Sequence, residues 1–171
     1  VTLINGEAGS VLDGFTITNG NNGGIYCYTS SPTITNSTIT GNSAGSSGGG
    51  IYCVYYSSPT ITNSTITENT VVSNDMESYD GGIYIALYSS PTITNSTITG
   101  NSAISYAGSL FGSYAGGYLP QNDSSPTIKN SILWGNIALT AYNEIAQISS
   151  TITCTYSNID QDGYAGSDGN I

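Results

Sequence analysis

The chain has 171 residues, of which 37% are hydrophobic and only 7% are charged, and its net charge is -10 with one lysine, no arginine and no histidine. A chain with almost no positive charge cannot neutralise phosphate groups, so we expect neither nucleic acid nor an anionic membrane surface as a partner. No apolar run approaches the roughly 20 residues of a transmembrane helix, so the sequence predicts no membrane span.

The first predicted strands lie in "VTLIN" and "SVLDGFTITN", where the apolar residues Leu3, Leu12 and Ile17 are nine and five positions apart. Nearly the same spacing recurs along the chain at Ile25/Ile34/Ile39, Ile51/Ile61/Ile66, Ile83/Ile93/Ile98, Tyr118/Ile128/Leu133 and Ile145/Cys154/Ile159. A spacing that recurs at intervals near 30 residues is typical of a repeat architecture. The sequence therefore predicts six turns of three short strands each.

The stretch "SSPTITNSTITGN", which starts at Ser30, returns with few changes from Ser57, Ser89 and Ser124. Within "PTITN" the alternation has a period of two, so Ile34 points to one face and its threonine neighbours to the other. Strands this short are stable only when equivalent strands stack about 4.8 Å apart. We therefore predict an all-β fold, a β-solenoid of about six coils with three parallel sheets, in a single domain over residues 1–171.

Asparagine recurs at two corners of the predicted coil, between the second and third strands and again after the third. Asparagine tolerates left-handed backbone conformation and hydrogen-bonds to nearby backbone groups, so we expect stacked asparagine ladders at both corners. The two sets are Asn36, Asn63, Asn95 and Asn130, and Asn42, Asn69, Asn101 and Asn136. Insertions of different lengths follow the third strand, so one edge of the solenoid should carry the variable loops.

Several segments together resemble a known family. "SVLDGFTITNGN", "GGGIYC", "SSPTITNSTITGN" and the closing "NSILWGN" with "TYSNIDQDGY" are similar to the right-handed parallel β-helix repeat proteins, many of them secreted or surface-attached in bacteria. The resemblance covers nearly the whole chain and implies a right-handed coil and an extracellular or cell-surface location. It implies no particular activity.

Some parallel β-helices are polysaccharide lyases or hydrolases, which need a basic residue or clustered carboxylates. Here the acids Asp13, Asp123 and Glu144 stand singly at distant points of the coil plan, and histidine and arginine are absent. We therefore expect a protein that is not an enzyme.

Two acidic segments are candidates for calcium, which prefers oxygen ligands. They contain Glu68, Asp75, Glu77 and Asp80, and Asp160, Asp162 and Asp168. Because neither matches a complete calcium-loop signature, we expect no cofactor and keep calcium as the alternative. Cys27 and Cys53 occupy the same inward position on neighbouring coils, where a buried free thiol serves as a small apolar residue.

The outward faces of the predicted sheets are the candidate binding surfaces. A regular threonine array is formed by Thr33, Thr35, Thr60, Thr62, Thr92 and Thr94, and a tyrosine column by Tyr26, Tyr52 and Tyr84. The tyrosines favour binding of glycans, as in a cell-surface adhesin, while the threonine grid resembles the surface of β-helical ice-binding proteins. Threonine is also simply common on exposed strands.

The ends of a solenoid expose unpaired strand edges and apolar side chains. The sequence opens directly on a strand and closes on a polar segment without an amphipathic capping helix, which indicates either an excerpt of a longer chain or a subunit that stacks on its own copies. We expect a non-catalytic extracellular structural protein whose copies join head to tail into a filament. The residues expected at the two joining ends are Leu3, Leu12, Ile17, Ile145, Cys154 and Ile159.

Overall fold

A computed structural model describes residues 1–6, 9–72, 80–103, 124–138 and 153–159 of the chain. Within these residues the chain forms twenty β-strands of two to four residues, numbered in chain order, which are arranged in four sheets. The first sheet contains β1 (Thr2–Ile4), β4 (Ile25–Tyr28), β8 (Ile51–Val54) and β12 (Ile83–Ile85). The described segments contain no helix.

The second and third sheets have six strands each. The second contains β2 (Val11–Asp13), β5 (Thr33–Thr35), β9 (Thr60–Thr62), β13 (Thr92–Thr94), β16 (Thr127–Lys129) and β19 (Thr153–Thr155). The third contains β3 (Thr16–Ile17), β6 (Thr38–Thr40), β10 (Thr65–Thr67), β14 (Thr97–Thr99), β17 (Ile132–Trp134) and β20 (Asn158–Ile159).

All pairings are parallel, and each strand pairs with its equivalent one turn further along the chain. The strands therefore group into six coils: coil 1 contains β1 to β3, coil 2 begins at β4, coil 3 at β8, coil 4 at β12, coil 5 at β16 and coil 6 at β19. This arrangement confirms the predicted all-β solenoid with parallel sheets stacked in register.

A fourth sheet was not predicted. It contains the two-residue strands β7 (Ser43–Ala44), β11 (Thr70–Val71), β15 (Ser102–Ala103) and β18 (Ile137–Ala138). A strand of two residues shows no alternation in the sequence, which is why the spacing indicated three strands per coil. The variable insertions follow this fourth strand in coils 3 and 4.

The interior of the solenoid is filled by columns of isoleucine. Ile34 pairs with Ile61, which pairs with Ile93, and all three side chains are fully buried. The third sheet adds a parallel column that includes Ile39 and Ile66. Fully burying a side chain of this size stabilises the fold by about 1.5 to 3 kcal/mol, so the repeated isoleucines supply the main driving force for folding.

The register of coil 1 differs from the one that the spacing suggested. Leu3 pairs with Cys27 and not with Ile25, because coil 1 uses two more residues than coil 2 between its first and second strands. The two-residue shift keeps Leu3 on the inner face, because side chains in a strand alternate with a period of two.

The inner asparagine ladder is confirmed. Asn42, Asn69, Asn101 and Asn136 are buried, and each of the first three donates its Nδ2 to the Oδ1 of the next at 2.9 Å. The same oxygens accept the backbone N–H of the preceding coil's asparagine at 2.9 to 3.1 Å. This ladder satisfies the polar backbone at a buried corner, where an unpaired group would be costly.

The outer asparagine ladder is also confirmed and is more open. Asn63 donates to Asn36 at 3.5 Å and Asn95 donates to Asn63 at 3.4 Å, and all three side chains are exposed. Asn36, Asn63 and Asn95 have φ angles of 50 to 51°, in the left-handed region that asparagine tolerates.

Serine ladders accompany the asparagines and were not predicted. The backbone N–H of Ser37 donates to Ser64 Oγ, and the N–H of Ser64 to Ser96 Oγ, both at 3.2 Å. A second series at the corner before the proline links Ser30, Ser57 and Ser89 in the same way. The invariant "SSP" and "NS" letters of the repeat therefore serve the contact between coils.

The double glycine before β4, β8 and β12 of the first sheet allows close approach of neighbouring coils. A Cβ atom on Gly49 would lie 2.5 Å from the carbonyl oxygen of Gly81 and 2.8 Å from that of Thr70. Backbone atoms cannot yield as a flexible side chain can, so the position requires glycine.

Candidate functional surfaces

The predicted threonine array lies on the outer face of the second sheet. Thr33, Thr60 and Thr92 form one column, with Thr60 and Thr92 exposed, and Thr35, Thr62 and Thr94 form a second, half-buried column. The second column ends where Asp13 pairs with Thr35 and where Lys129 pairs with Thr94, while the first continues from Thr92 to Thr127 and Thr153. The regular grid therefore spans three coils, about 10 Å along the solenoid axis.

The predicted tyrosine column lies on the first sheet, and its rings stack on one another. The ring centroids of Tyr26 and Tyr52 are 5.3 Å apart and those of Tyr52 and Tyr84 are 5.0 Å apart, with interplanar angles of 18° and 10°. Tyr84 is only 5% exposed, and burial raises the pKa of the Tyr52 hydroxyl. The middle ring has both faces covered by its neighbours, so this column mainly stabilises the stack of coils.

Tyr26 is at one end of the column, and one face of its ring has no aromatic neighbour along the solenoid axis. Thr2 of coil 1 pairs with Tyr26, so no ring continues the stack on that side. A cleft of about 280 Å³ opens there and is lined by Val1, Thr2, Gly20, Asn21, Asn22, Gly23 and Tyr26. It combines an aromatic ring with hydroxyl, amide and backbone groups, and it carries no acidic side chain.

A second tyrosine stack, which sequence reasoning missed, lies at the corner that precedes the second sheet. The rings of Tyr56 and Tyr88 are 5.0 Å apart with an interplanar angle of 8°. Both residues have left-handed backbone conformation, with φ of 61° and 64°. The signal was present in the sequence, because each tyrosine stands directly before "SSP", but the corner conformation that aligns the rings cannot be read from the letters.

The residues expected at the joining ends lie mostly in the core. Leu3, Cys154 and Ile159 are buried, at 8%, 6% and 3% exposure, and Leu12 and Ile17 are partly buried against the same cluster. Ile145 lies outside the described residues. These side chains therefore pack within the solenoid of this chain.

Large apolar side chains are exposed in coils 1 and 5 at positions where the central coils carry threonine or serine. In coil 1, Val11 pairs with Thr33, and Phe15 takes the place of Ser37. In coil 5, three apolar residues pair with polar partners in coil 4: Ile132 with Thr97, Trp134 with Thr99 and Ile137 with Ser102. Phe15 is 55% exposed and Trp134 51% exposed.

The three cysteines, all within the described segments, are buried as thiols and form no disulfide. Cys27 and Cys53 pair across neighbouring strands, and a hydrogen bond between the two thiols together with burial raises the pKa of Cys53 well above its usual value. Burial raises the pKa of Cys154 to about 12. Thiols held in the neutral form inside the core are poor nucleophiles and metal ligands, in line with an apolar packing role.

The acidic residues give no metal cluster within the described segments, where no three histidine, cysteine or acidic residues come together. Asp75, Glu77, Asp160, Asp162 and Asp168, expected as calcium ligands, lie outside those segments, as do Asp123 and Glu144. Asp13 accepts a 2.8 Å hydrogen bond from Asn36 and so ends the outer asparagine ladder. The part of the chain that the structure describes also holds no helix long and apolar enough to cross a bilayer.

The stacked parallel sheets and the filled interior define a β-solenoid, and comparison with protein families assigns it. The family described as "Right handed beta helix region" matches residues 2–168, so the chain belongs to that family and its coil is right-handed. No curated protein and no solved structure matches the chain.

Proposed function

We propose that the protein is a non-catalytic extracellular structural solenoid whose copies associate head to tail into a fibre. One observation carries the proposal: exposed apolar side chains stand in coils 1 and 5 at positions where coils 2 to 4 carry threonine or serine. Exposed clusters of large apolar residues on a protein surface are typical of interaction sites. Two different surfaces on one chain favour a heterologous contact, which generates an open polymer when the rotation does not close.

The direction of the side-chain ladders determines what kind of junction coil 1 can make. In the serine and inner asparagine ladders a backbone N–H donates to a side-chain oxygen of the next coil, as Phe15 does to Ser37 Oγ at 3.2 Å and Gly20 does to Asn42 Oδ1 at 2.9 Å. Coil 1 has phenylalanine and glycine at these ladder positions and offers no such oxygen. A coil placed against its outer side would lose the serine and inner asparagine ladders, so the proposed junction is an apolar contact.

The extracellular location is part of the same proposal and is supported by the resemblance to secreted and surface-attached β-helix proteins. Labelling of intact cells with an antibody against the folded chain tests it, and labelling only after the cells are permeabilised would contradict it.

Two end variants test the fibre. Phe15→Ser removes the apolar side chain of coil 1, and Trp134→Thr removes that of coil 5. Burying a large apolar side chain is worth about 1.5 to 3 kcal/mol, so each change should weaken association at least about tenfold. Sedimentation velocity over a range of concentrations measures the size distribution, and quenching of Trp134, the single tryptophan of the chain, reports whether the apolar surface of coil 5 is covered.

Mixing the two variants separates a head-to-tail contact from other modes of association. Each variant keeps one intact end, so an equimolar mixture should form dimers and stop there, while each variant alone stays monomeric. Val72→Thr is the matched control, because Val72 is an equally exposed apolar residue that follows β11 in coil 3. A wild-type protein that stays monomeric at high concentration, or a control variant that weakens association as much, would contradict the proposal.

Glycan binding is the second candidate, and the cleft at Tyr26 is the observation that favours it. An aromatic ring beside hydroxyl and amide groups suits a neutral sugar, and the net charge of -10 disfavours an acidic one. Binding on a glycan array should disappear in Tyr26→Ala and Asn22→Ala and persist in Tyr56→Ala. Ice binding has less support, because the column of Thr35, Thr62 and Thr94 ends at Lys129, so the regular grid of two columns covers only three coils.

A further inference from the structure

The stack formed by Tyr56 and Tyr88 combines two properties that the other tyrosine pairs do not share. Its rings are nearly parallel, at 8°, and one of them, Tyr56, is 64% exposed. The backbone N–H of Tyr56 donates to the carbonyl of Leu87 at 2.9 Å, which fixes the two corners relative to each other. The two phenol rings are therefore held one coil apart at a surface that dissolved reagents can reach.

Phenols in this arrangement are suited to oxidative coupling. A peroxidase that uses hydrogen peroxide removes one electron and one proton from each phenol, which gives two phenoxyl radicals and converts the peroxide to two molecules of water. The radicals join through a carbon–carbon bond between ring positions ortho to the oxygens. The two hydrogens displaced from those carbons move to the phenoxyl oxygens and restore both phenols.

We propose that Tyr56 and Tyr88 are a site of oxidative cross-linking, at which a peroxide-dependent oxidation joins coils 3 and 4 as dityrosine. The nearly parallel rings, 5.0 Å between centroids, bring the matching edges of the two phenols together. The bond would link the two ends of the segment from Tyr56 to Tyr88, which contains the variable insertion between β11 and β12. Such a link would stabilise the solenoid against unfolding. This inference does not depend on fibre formation.

The stack on the first sheet provides an internal comparison. Tyr52 and Tyr84 have the same 5.0 Å separation and a similar angle of 10°, but Tyr84 is buried. The rings of Tyr28 and Tyr55 are 4.8 Å apart but tilted by 46°, so their matching edges diverge. The rings of Tyr26 and Tyr52 are 5.3 Å apart at an angle of 18°, and both side chains are half-buried. Proximity alone would predict coupling at all four pairs, whereas proximity combined with alignment and an exposed ring predicts it at Tyr56 and Tyr88.

The test treats the folded 171-residue chain with hydrogen peroxide and a haem peroxidase, then unfolds it and cleaves it after glutamate. Cleavage after Glu68 and Glu77 separates the fragment that contains Tyr56 from the one that contains Tyr88. We expect dityrosine fluorescence, a joined fragment in mass spectrometry that maps to this pair, and a higher thermal midpoint after oxidation. Tyr56→Phe and Tyr88→Phe should each abolish the joined fragment, while Tyr84→Phe should leave it.

The mapped position of the cross-link decides the outcome. Phenylalanine keeps the ring and removes the hydroxyl, so the folded structure of each variant can be verified by circular dichroism before oxidation. A joined fragment that persists in Tyr56→Phe, a cross-link that maps to Tyr52 and Tyr84, or the absence of any joined fragment in the wild type would overturn the proposal. Cross-links found only between separate molecules would overturn it as well.

Discussion

Replacing Asn69 by alanine should remove a polar contribution that joins three successive coils. Asn69 is fully buried, and its Nδ2 donates to the Ile39 carbonyl and to Asn101 Oδ1, both at 2.9 Å. Its Oδ1 accepts from the backbone N–H of Asn42 at 3.1 Å and from the Asn42 side chain at 2.9 Å. The substitution therefore removes four hydrogen bonds at once.

A net contribution of about 0.5 to 1.5 kcal/mol per hydrogen bond gives a loss of about 2 to 6 kcal/mol for Asn69→Ala. The control is Asn63→Gly in the outer ladder, where the bonds are 3.4 and 3.5 Å long, the side chain is exposed, and glycine accepts the φ of 50°. Asn63→Gly should lower the free energy of unfolding by less than about 1 kcal/mol.

Urea unfolding followed by circular dichroism measures both free energies of unfolding. If the two variants lose equal stability, or if Asn69→Ala unfolds within about 0.5 kcal/mol of the wild type, the reasoning about the buried ladder is wrong.

Two further predictions concern stability. Gly49→Ala should lower the free energy of unfolding by about 1 to 3 kcal/mol or more, because its Cβ would meet two carbonyl oxygens within 2.8 Å; an unchanged urea midpoint would refute the close approach. Burial raises the pKa of Cys154 from 9.0 to about 12. The contribution of this neutral thiol to the free energy of unfolding is therefore fully present below pH 9.0 and is lost as the pH rises to about 12. The urea midpoint should therefore fall less steeply over this range in Cys154→Ala than in the wild type, and equal slopes would contradict the assigned shift.

Much of the architecture could be predicted from the sequence because the repeat is strict where stacking demands it. Ile34 and Ile39 recur five residues apart with a corner asparagine between them, and this spacing identifies inward columns, corners and the number of coils. The asparagine ladders followed from the same recurrence, since a polar residue repeated at a buried corner needs a partner in the next coil.

What could not be predicted depends on contacts between coils. The two-residue strands of the fourth sheet are too short to show alternation, and the shifted register of Leu3 depends on the length of one connection. Tyr84 belongs to the same column as Tyr26, and its burial is a property of the folded surroundings. The expected joining ends were chosen from inward positions such as Ile159, whereas the exposed apolar residues stand on outward positions and break the repeat.

Electron microscopy of the purified wild-type chain tests head-to-tail association most directly. The proposal predicts unbranched filaments that lengthen with protein concentration. Filaments that disappear in Trp134→Thr and persist in Val72→Thr would support the proposed junction. Monodisperse single particles at high concentration would contradict it.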